Sequence, residues 1–558
     1  MKRKLTVLLG MLLILSLLIW PVPTAAATSP SDIPPAQNTS AMPPVIVVSG
    51  SNYEMGYQYG EQAAPLIYRN LAILKSNVIK AFGEETTYKD MKVWSYYADK
   101  YDPGLRKWLE GMQAGVKKKG YDISYLDLLL LTVYPAQMWC RPDAPYPDET
   151  GVKSSLAMSD IPTAEGYHSC HAFAATGSAT KDGKPIVSIS KMVPIETMHS
   201  LILIAFSDEG YSFVANPYAG AIVQNSGMNS SGFAWVLTAQ FGPPAWGVVT
   251  EVYFHYLNQY CKSPIEAYEY LEKTPRAGVT GAFVTSDVSG NISVFESMSH
   301  VFETRVPGDA GETAEFLVQT NHLINPSLQE HNLPPYIDLM ANSYNRYATA
   351  WEYVKAAADK GEIDFDFAKK MYQSDDWYNP DTNKWHYNEP ESPNVLNNFP
   401  ESVTQSIFFP SDLIAYFQVG TPSGIGLPGG ATGEYVKLQL ADDPVTVTES
   451  ADKAAFEFYS EARNLFAKEL NRNAPYLTFL VAQSIRGMLD EAMIEYERGM
   501  DRAGFAYLAE IEGRPVNEQV ALWSEALTHY AKAQLYSQMA ATRLMILSSK
   551  YMVLGPVT

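Results

Sequence analysis

The feature that most restricts the possible folds is a change of hydrophobic pattern at Cys170. Downstream of it, short apolar or alternating runs are separated by Gly-rich and Asp-Gly turns, which is typical of β-strands. Residues 53–80, two stretches within 87–119, and 451–548 instead repeat apolar residues at helical spacing. Strands in the middle with helices on both flanks predict a layered α+β fold. The predicted strands are 171–176, 185–190, 201–206, 212–215, 233–239, 281–287 and 291–297, and the other predicted helices are 262–273 and 342–359.

Three further segments have patterns of their own. Residues 45–48 form an apolar run at which we expect ordered structure to begin. Residues 126–133 are mostly apolar, and periodicity alone leaves helix and strand both open for them. Residues 373–399 are polar and rich in Pro and Asn, which predicts a loop.

The composition limits the classes of partner. The chain has 558 residues, of which 46% are hydrophobic and 18% charged, so a substantial core is expected. Its formal net charge is -20. Nucleic-acid binding depends on basic patches, and acidic membrane surfaces repel an acidic chain, so we expect neither as a partner. We also expect no cofactor and no metal site, since the sequence has no metal-ligand spacing and no Gly-rich phosphate loop.

The first residues have the pattern of a targeting segment. Residues 2–4 are basic, residues 5–20 are almost entirely apolar, and residues 25–27 are alanines. This order predicts a secretory signal peptide over 1–27 and an extracellular mature protein. The alternative is an uncleaved membrane anchor, for which the apolar run is short. Residues 28–44, rich in Pro and Ser, are predicted to be a flexible mature N-terminus.

The chain contains three cysteines, which is an odd number for a secreted protein. At least one thiol is therefore unpaired, and it is a candidate for chemistry. Pairing of Cys140 with Cys261 is left open by the sequence. A lone cysteine in a strand is more often a buried structural residue, so Cys170 cannot be assigned a role from its type alone.

The residues around Cys170 carry a longer pattern. Cys170 is followed by the apolar residues 173–175 and then by Gly-Ser-Ala-Thr-Lys-Asp-Gly-Lys at 177–184. This block resembles the start of the catalytic chain in the penicillin acyltransferase-like (acyl-CoA:6-aminopenicillanic acid acyltransferase) family of the N-terminal-nucleophile hydrolases. Six other segments resemble the family's motifs in the same order, so that the resemblance covers roughly residues 45–440. They are 50–60, 109–129, 225–233, 287–296, 318–322 and 343–346.

The resemblance implies a four-layer αββα sandwich and a set of site residues. It implies that the chain cuts itself between Ser169 and Cys170, and that Cys170 then attacks the substrate with its own α-amine as base. Asn321 matches the family's oxyanion-stabilising asparagine, and Arg346 matches its supporting arginine. On residue type alone, Asn321 would be a turn residue and Arg346 a solvated helix residue.

One part of the pattern departs from the family. Where many relatives carry an acidic residue after the hairpin, residues 187–192 read Val-Ser-Ile-Ser-Lys-Met. Ser190 and Lys191 are the leading polar candidates to line the pocket in its place, and Gln240 is a third. We expect His171 to point to the opposite face of its strand from Cys170.

Together these observations predict a secreted, self-processing cysteine amidohydrolase or acyltransferase that cleaves an amide bond of an acylated small molecule or peptide. The alternatives are a phospholipase B-like or ceramidase-like lipid amidase, and a degenerate binding protein on the same fold. The implied division of the chain is a helical propeptide or small chain at 45–169, a catalytic domain at 170–450 and a helical C-terminal extension at 451–558. An oligomer of processed chains is compatible with this division.

Overall fold

Two β-sheets form the centre of the fold. The computed structural model describes residues 44–152, 170–192, 200–277, 279–332, 342–389, 392, 394–396, 402–419 and 434–554. The predicted signal peptide, nearly all of the predicted flexible N-terminus, and Ser169 lie outside these residues.

The larger sheet has the strand order β1-β4-β5-β6-β7-β8-β9-β10. Its edge strand β1 runs parallel to β4, whereas the other neighbours in this sheet are antiparallel. Its strands are β1 (Val45–Gly50), β4 (Ile202–Ser207), β5 (Phe213–Ala215), β6 (Ser226–Asn229), β7 (Ala234–Phe241), β8 (Val279–Ser286), β9 (Ile292–Ser297) and β10 (Phe302–Arg305).

The smaller sheet is antiparallel and has the strand order β11-β2-β3-β14-β15-β16. Cys170 is the first residue of β2, an interior strand of this sheet. The strands are β2 (Cys170–Ala175), β3 (Ile186–Met192), β11 (Phe316–Gln319), β14 (Ser402–Phe409), β15 (Ile414–Val419) and β16 (Glu434–Gln439), and a separate hairpin is formed by β12 (Trp377–Asn379) and β13 (Lys384–His386).

Alternate residues of the two sheets meet in one shared core. Ile204 and Val236 of the larger sheet belong to the same buried cluster as Ala172 and Ile189 of the smaller sheet. Because side chains alternate along a strand, the other face of each sheet is left to pack against helices. Cys170 also belongs to this shared core, so its side chain lies between the sheets.

Helices cover the outer face of the larger sheet. Trp108 from the helices packs in one buried cluster with Trp235 and Phe283 from the strands. The helices on this side are α1 (Asn52–Phe82), α2 (Glu84–Tyr101), α3 (Pro103–Lys118), α4 (Tyr125–Thr132), α5 (Tyr134–Cys140), α6 (Thr250–Tyr260) and α7 (Pro264–Lys273).

Glycines bring α1 and α3 unusually close together. A Cβ atom at Gly56 would lie 2.1 Å from the carbonyl oxygen of Trp108, and one at Gly111 would lie 2.0 Å from that of Tyr53. A side chain at either position would therefore push the helices apart. This contact explains Gly56 and Gly111 in the sequence segments 50–60 and 109–115.

Two helices cover the outer face of the smaller sheet. They are α8 (Ser343–Ala358) and α9 (Phe365–Tyr372). Val354 and Tyr372 from these helices share a buried cluster with Phe173 and Val318 from the strands.

The remaining helices are α10 (Pro444–Asn471), α11 (Phe479–Ile511) and α12 (Val516–Leu554). The helix α12 is fastened to β1, because the backbone nitrogens of Val45 and Val47 donate to Thr528 Oγ1 and Ser524 Oγ at 3.0 and 2.7 Å. At β16, the amide of Gln538 donates to the carbonyl oxygen of Tyr435. The C-terminal helices therefore pack on the sheets.

The mixed α+β class predicted from the sequence is confirmed. The sequence left helix and strand open for residues 126–133, and the structure shows a helix there, since α4 spans Tyr125–Thr132. The prediction of a loop over 373–399 is wrong in part, because the hairpin β12–β13 lies within it. Within the described residues, no helix has the length and apolar character needed to cross a membrane.

Candidate active site

Cys170 lies between two polar residues on the neighbouring strands. Its register partner on β3 is Lys191. On the other side, β11 ends at Gln319, which pairs with Ala172 of β2, and Asn321 lies two residues beyond this end, next to the backbone nitrogen of Cys170. The Cys170 side chain is only 1% exposed. The antiparallel register thus brings together residues that are far apart in the sequence.

Asn321 binds the backbone nitrogen of Cys170. Its Oδ1 accepts hydrogen bonds from Cys170 N and from Arg346 Nη2, both at 2.8 Å. Its Nδ2 donates to the carbonyl oxygen of Ala239 at 2.8 Å. Because two donors point at one atom and an acceptor faces the other, the orientation of the amide group is determined. Within the described part of the chain, this leaves the second hydrogen of Nδ2 unengaged.

Arg346 binds the carbonyl oxygen of Cys170. Its Nη1 donates to this oxygen at 2.6 Å, while Nη2 is bound to Asn321. The guanidinium is fully buried, and burial lowers its pKa to about 10, whereas a charge on Cys170 raises it. A negative charge on the thiol would therefore stabilise the buried cation, and the cation would stabilise the thiolate.

The chain around Asn321 is attached to the end of β7. Thr238 Oγ1 donates to the carbonyl oxygen of Thr320 at 2.7 Å. Gln240 Nε2 donates to that of His322 at 3.0 Å. With the bond between Asn321 and Ala239, three successive residues of β7 hold three successive residues after β11. Gln240 therefore faces the space between the sheets and supports the site through backbone atoms.

The start of α8 determines where Arg346 lies. The backbone nitrogen of Asn321 donates to Ser343 Oγ at 2.8 Å, and Ser343 Oγ donates to Thr320 Oγ1 at 2.9 Å. Residues three apart on a helix share a face, so this contact directs Arg346 towards the same segment. The spacing Ser343-x-x-Arg346 in the sequence thus has a geometric reason.

A buried charged cluster supports the strand that precedes Asn321. Arg305 donates to Glu296 at 3.0 Å, to Glu312 at 2.7 Å and to the carbonyl oxygen of Val318 at 2.7 Å. Glu296 also accepts from the backbone nitrogen of Ile324 at 2.7 Å. Both ends of the Asn321 segment are therefore anchored by one cluster. Arg305 lies in none of the sequence segments that resemble family motifs. Its partner Glu296 is the last residue of one of them, the segment 287–296.

Lys191 is a buried lysine beside Cys170. Its side chain is 1% exposed. Its Nζ donates to the carbonyl oxygens of Gln224 at 2.9 Å and of Asn216 at 3.5 Å. Burial lowers its pKa to about 7, and a charge on Cys170 raises it. With its pKa of about 7, Lys191 is a base that carries less than a full positive charge at neutral pH.

The interpretation of Ser190 as a pocket residue is wrong. Ser190 is the register partner of His171, one residue away from the pair formed by Cys170 and Lys191, so its side chain points to the helix-covered face. There its hydroxyl accepts a hydrogen bond from Gln405 at 3.3 Å, and Gln405 in turn binds Tyr435. His171 also lies on this face, 5.3 Å from the ring of Tyr372, as the alternation of the strand predicted.

His322 and Cys261 are both buried. His322 Nδ1 lies 2.8 Å from Ser343 Oγ, and burial lowers the pKa of His322 to about 3, so this imidazole is neutral. Cys261 is a buried free cysteine, so the pairing with Cys140 that the sequence left open is not formed. Among the described residues, no group of His, Cys, Asp and Glu side chains is arranged to hold a metal ion.

Comparison with known proteins finds a family model that matches part of this chain. Residues 193–391 match the model of the family described as acyl-coenzyme A:6-aminopenicillanic acid acyl-transferase. This match confirms the resemblance predicted from the ordered motifs. Over 515 residues the chain is 22% identical to an uncharacterized protein of Archaeoglobus fulgidus, which covers 85% of this chain and 75% of that protein.

Solved structures show similarity at low identity. A penicillin V acylase from Agrobacterium tumefaciens is 13% identical with a TM-score of 0.27, covering 49% of this chain and 86% of that one. A Caenorhabditis elegans N-acylethanolamine-hydrolyzing acid amidase ortholog is 13% identical with a TM-score of 0.30, covering 43% of this chain and 93% of that one.

Proposed function

We propose that the protein is a self-processing amide hydrolase or acyltransferase whose nucleophile is Cys170, released as a new N-terminus by cleavage after Ser169. The observation that carries this proposal is the way both backbone polar groups of Cys170 are held. Asn321 accepts from its nitrogen and Arg346 donates to its carbonyl oxygen. Every buried peptide group needs hydrogen-bond partners. At Cys170 these partners are two polar side chains that also bind each other, an arrangement suited to holding a nitrogen that becomes a catalytic amine.

The residues supply each part of an acyl-transfer reaction. The α-amine of Cys170, with an ordinary pKa of about 8, takes the thiol proton as the thiolate attacks the amide carbonyl. The second hydrogen of Asn321 Nδ2 stabilises the oxygen that becomes negative. The leaving amine takes the proton, and the acyl group stays on the sulfur as a thioester. Water or a second amine then displaces the thiol and completes hydrolysis or transfer.

The electrostatics of the site support a thiolate. Arg346 and Lys191 are both buried, and the pKa of each is raised by a negative charge on Cys170. Interaction between charges is reciprocal, so the protonated forms of these two side chains stabilise a thiolate at Cys170. Cysteines with this kind of electropositive surrounding are the reactive ones in proteins.

The substrate in this proposal is an acylated small molecule or peptide. The family matched by residues 193–391 is described as transferring an acyl group between acyl-coenzyme A and 6-aminopenicillanic acid, whose amine is thereby acylated. The signal predicted over residues 1–27 makes secretion part of the proposal, and hydrolysis is then favoured over transfer from coenzyme A, which is an intracellular compound. A lipid amide remains an alternative substrate, and a binding protein without activity remains an alternative function.

The test is to express the full chain and its Cys170→Ala variant and to follow both by gel electrophoresis and N-terminal sequencing. Wild type is expected to give a large fragment that begins at Cys170, and the variant is expected to stay intact. Cys261→Ala, which removes another buried thiol, is the matched control and should be cut like wild type. A wild-type chain that stays intact, or a Cys170→Ala chain that is still cut at this bond, contradicts the proposal.

Activity is then measured on N-acyl amino acids, penicillins and ceramides. Hydrolysis of the first two classes by the processed wild type, but not by Cys170→Ala, supports the proposal. Hydrolysis of ceramides alone supports the lipid amidase. A processed protein that binds these compounds without turning them over supports the binding protein.

A further inference from the structure

Lys191 is a residue of β3 in the smaller sheet, but its amine donates hydrogen bonds to loops of the larger sheet. Its two acceptors are the carbonyl oxygens of Asn216, directly after β5, and of Gln224, just before β6. A neutral amine has two hydrogens and one lone pair, so two carbonyl acceptors use both hydrogens and leave the lone pair for a proton. Among the described residues, no carboxylate contributes to the pKa of Lys191, which is affected by burial and by the charge of Cys170.

We propose that the amine of Lys191 is the base that takes the thiol proton of Cys170 when the chain cuts itself. The inference rests on the proposed function. Before the cut, the nitrogen of Cys170 is part of a peptide bond and has no basic lone pair, and its hydrogen is donated to Asn321. The first turnover of the thiol therefore needs a base other than the α-amine. Lys191 is the register partner of Cys170 on β3, and both side chains face the space between the sheets.

The other titratable groups around Cys170 are unsuited to this task. Arg346 already donates to the carbonyl oxygen of Cys170 and stays protonated at neutral pH, since its pKa is about 10. His322 is occupied by Ser343, and burial lowers its pKa to about 3. His171 lies on the helix-covered face of β2. Burial lowers the pKa of Lys191 to about 7, which matches a base that works near neutral pH.

The step balances in protons and bonds. The thiol proton moves to the amine, giving a thiolate and an ammonium, and the thiolate sulfur attacks the carbonyl carbon of Ser169. The bond from sulfur to carbon forms, the bond from this carbon to the nitrogen of Cys170 breaks, and the ammonium returns its proton to that nitrogen. Water then hydrolyses the thioester, which leaves a carboxylate on Ser169 and the thiol on Cys170.

The experiment measures the rate of self-cleavage of freshly translated full-length chain between about pH 5.5 and about pH 9.5. The variants are Lys191→Met, which keeps the apolar stem, and Lys191→Gln, which keeps a donor for the carbonyl of Gln224. The matched control is Lys184→Met, at a half-exposed lysine before the same strand. Wild type and control should reach their full rate above about pH 7.

Both Lys191 variants are expected to cut roughly thirtyfold more slowly near pH 7, where only about 3% of a thiol with the ordinary pKa of about 8.5 is ionised, and to recover as the pH rises towards that value. Cleavage of both variants at the wild-type rate over the whole range overturns the inference. If a variant fails to fold, as judged by its melting temperature, the inference is tested by how the self-cleavage rate of wild type depends on pH. An inflection near about 8.5 instead of near 7 overturns the inference. The proposed function has its own test, because it fails if wild type stays intact or if Cys170→Ala is still cut, and neither outcome depends on Lys191.

Discussion

Arg346 Nη2 donates a hydrogen bond to Asn321 Oδ1 at 2.8 Å, so the two residues that hold the backbone of Cys170 also hold each other. The guanidinium has a planar fork, which lets one side chain bind Asn321 and the carbonyl oxygen of Cys170 at the same time. Each of the three residues is thus positioned by the other two.

Arg346→Lys is expected to lower the rates of self-cleavage and substrate turnover about a hundredfold, because an ammonium cannot reproduce the two directions of the fork. The measurement is the cleavage rate on gels together with kcat/KM of the processed enzyme. Arg498→Lys, at an exposed position on α11, is the control and should be unchanged. Equal rates for Arg346→Lys and wild type would show that the fork is not used.

Asn321→Asp is expected to reduce kcat by about a hundredfold to a thousandfold, since it removes the amide hydrogens and adds a negative charge where the oxyanion forms. It also replaces the donor to Ala239 by an acceptor. The measurement is kcat with the best substrate of the panel, with Asn471→Asp at the exposed end of α10 as the isosteric control. A variant that loses affinity but keeps kcat contradicts the assignment to the oxyanion.

Arg305→Met is expected to lower the free energy of unfolding by about 3–5 kcal/mol, because it leaves the carboxylates of Glu296 and Glu312 buried without their cation. The measurement is urea unfolding in a Cys170→Ala background, which is expected to keep the chain in one piece. Arg502→Met breaks a half-exposed pair with Glu525 and should cost less than about 1 kcal/mol. Equal costs for the two variants would contradict the structural role of the cluster.

Glu251, in the first turn of α6, is expected to make stability depend on pH. Burial raises its pKa from 4.5 to about 8, so the folded chain binds this proton more tightly than the unfolded chain does. Its stabilising effect is complete below about pH 4.5 and is lost as the pH rises towards about 8, at up to about 1.4 kcal/mol per pH unit. Glu251→Gln should remove this slope in urea unfolding measured at several pH values. A stability difference between the two chains that is the same at every pH contradicts this expectation.

The sequence was sufficient to predict the elements and residues that local patterns determine. Strand alternation placed His171 away from Cys170, and the order of the motifs selected Asn321 and Arg346, which the structure brings to the backbone of Cys170. The turn motif around Asn229 is also explained by local contacts, because its Oδ1 accepts from the backbone nitrogen of Ser231.

Strand register and the buried charge cluster could not be predicted from the sequence. Ser190 and Lys191 are adjacent polar residues, and only the pairing of β2 with β3 decides which of them shares a face with Cys170. The cluster of Arg305 with Glu296 and Glu312 joins the paired strands β9 and β10 to the segment that follows β10, and no residue pattern indicated it. The strands β14 to β16 were not predicted, although β15 pairs with its chain neighbours β14 and β16; only the pairing of β14 with β3 joins distant parts of the sequence.

The position of β1 has a consequence for what remains after the chain is cut. Cleavage before Cys170 would place β1 and β4 on different polypeptides, although they are paired along six residues. The short polypeptide would then act as a donated strand, held on one side by β4 and on the other by Ser524 and Thr528 of α12. Its removal would expose backbone donors and acceptors of an eight-stranded sheet. The two products of cleavage would therefore behave as the subunits of an obligate heterodimer, which denaturant separates and dilution does not.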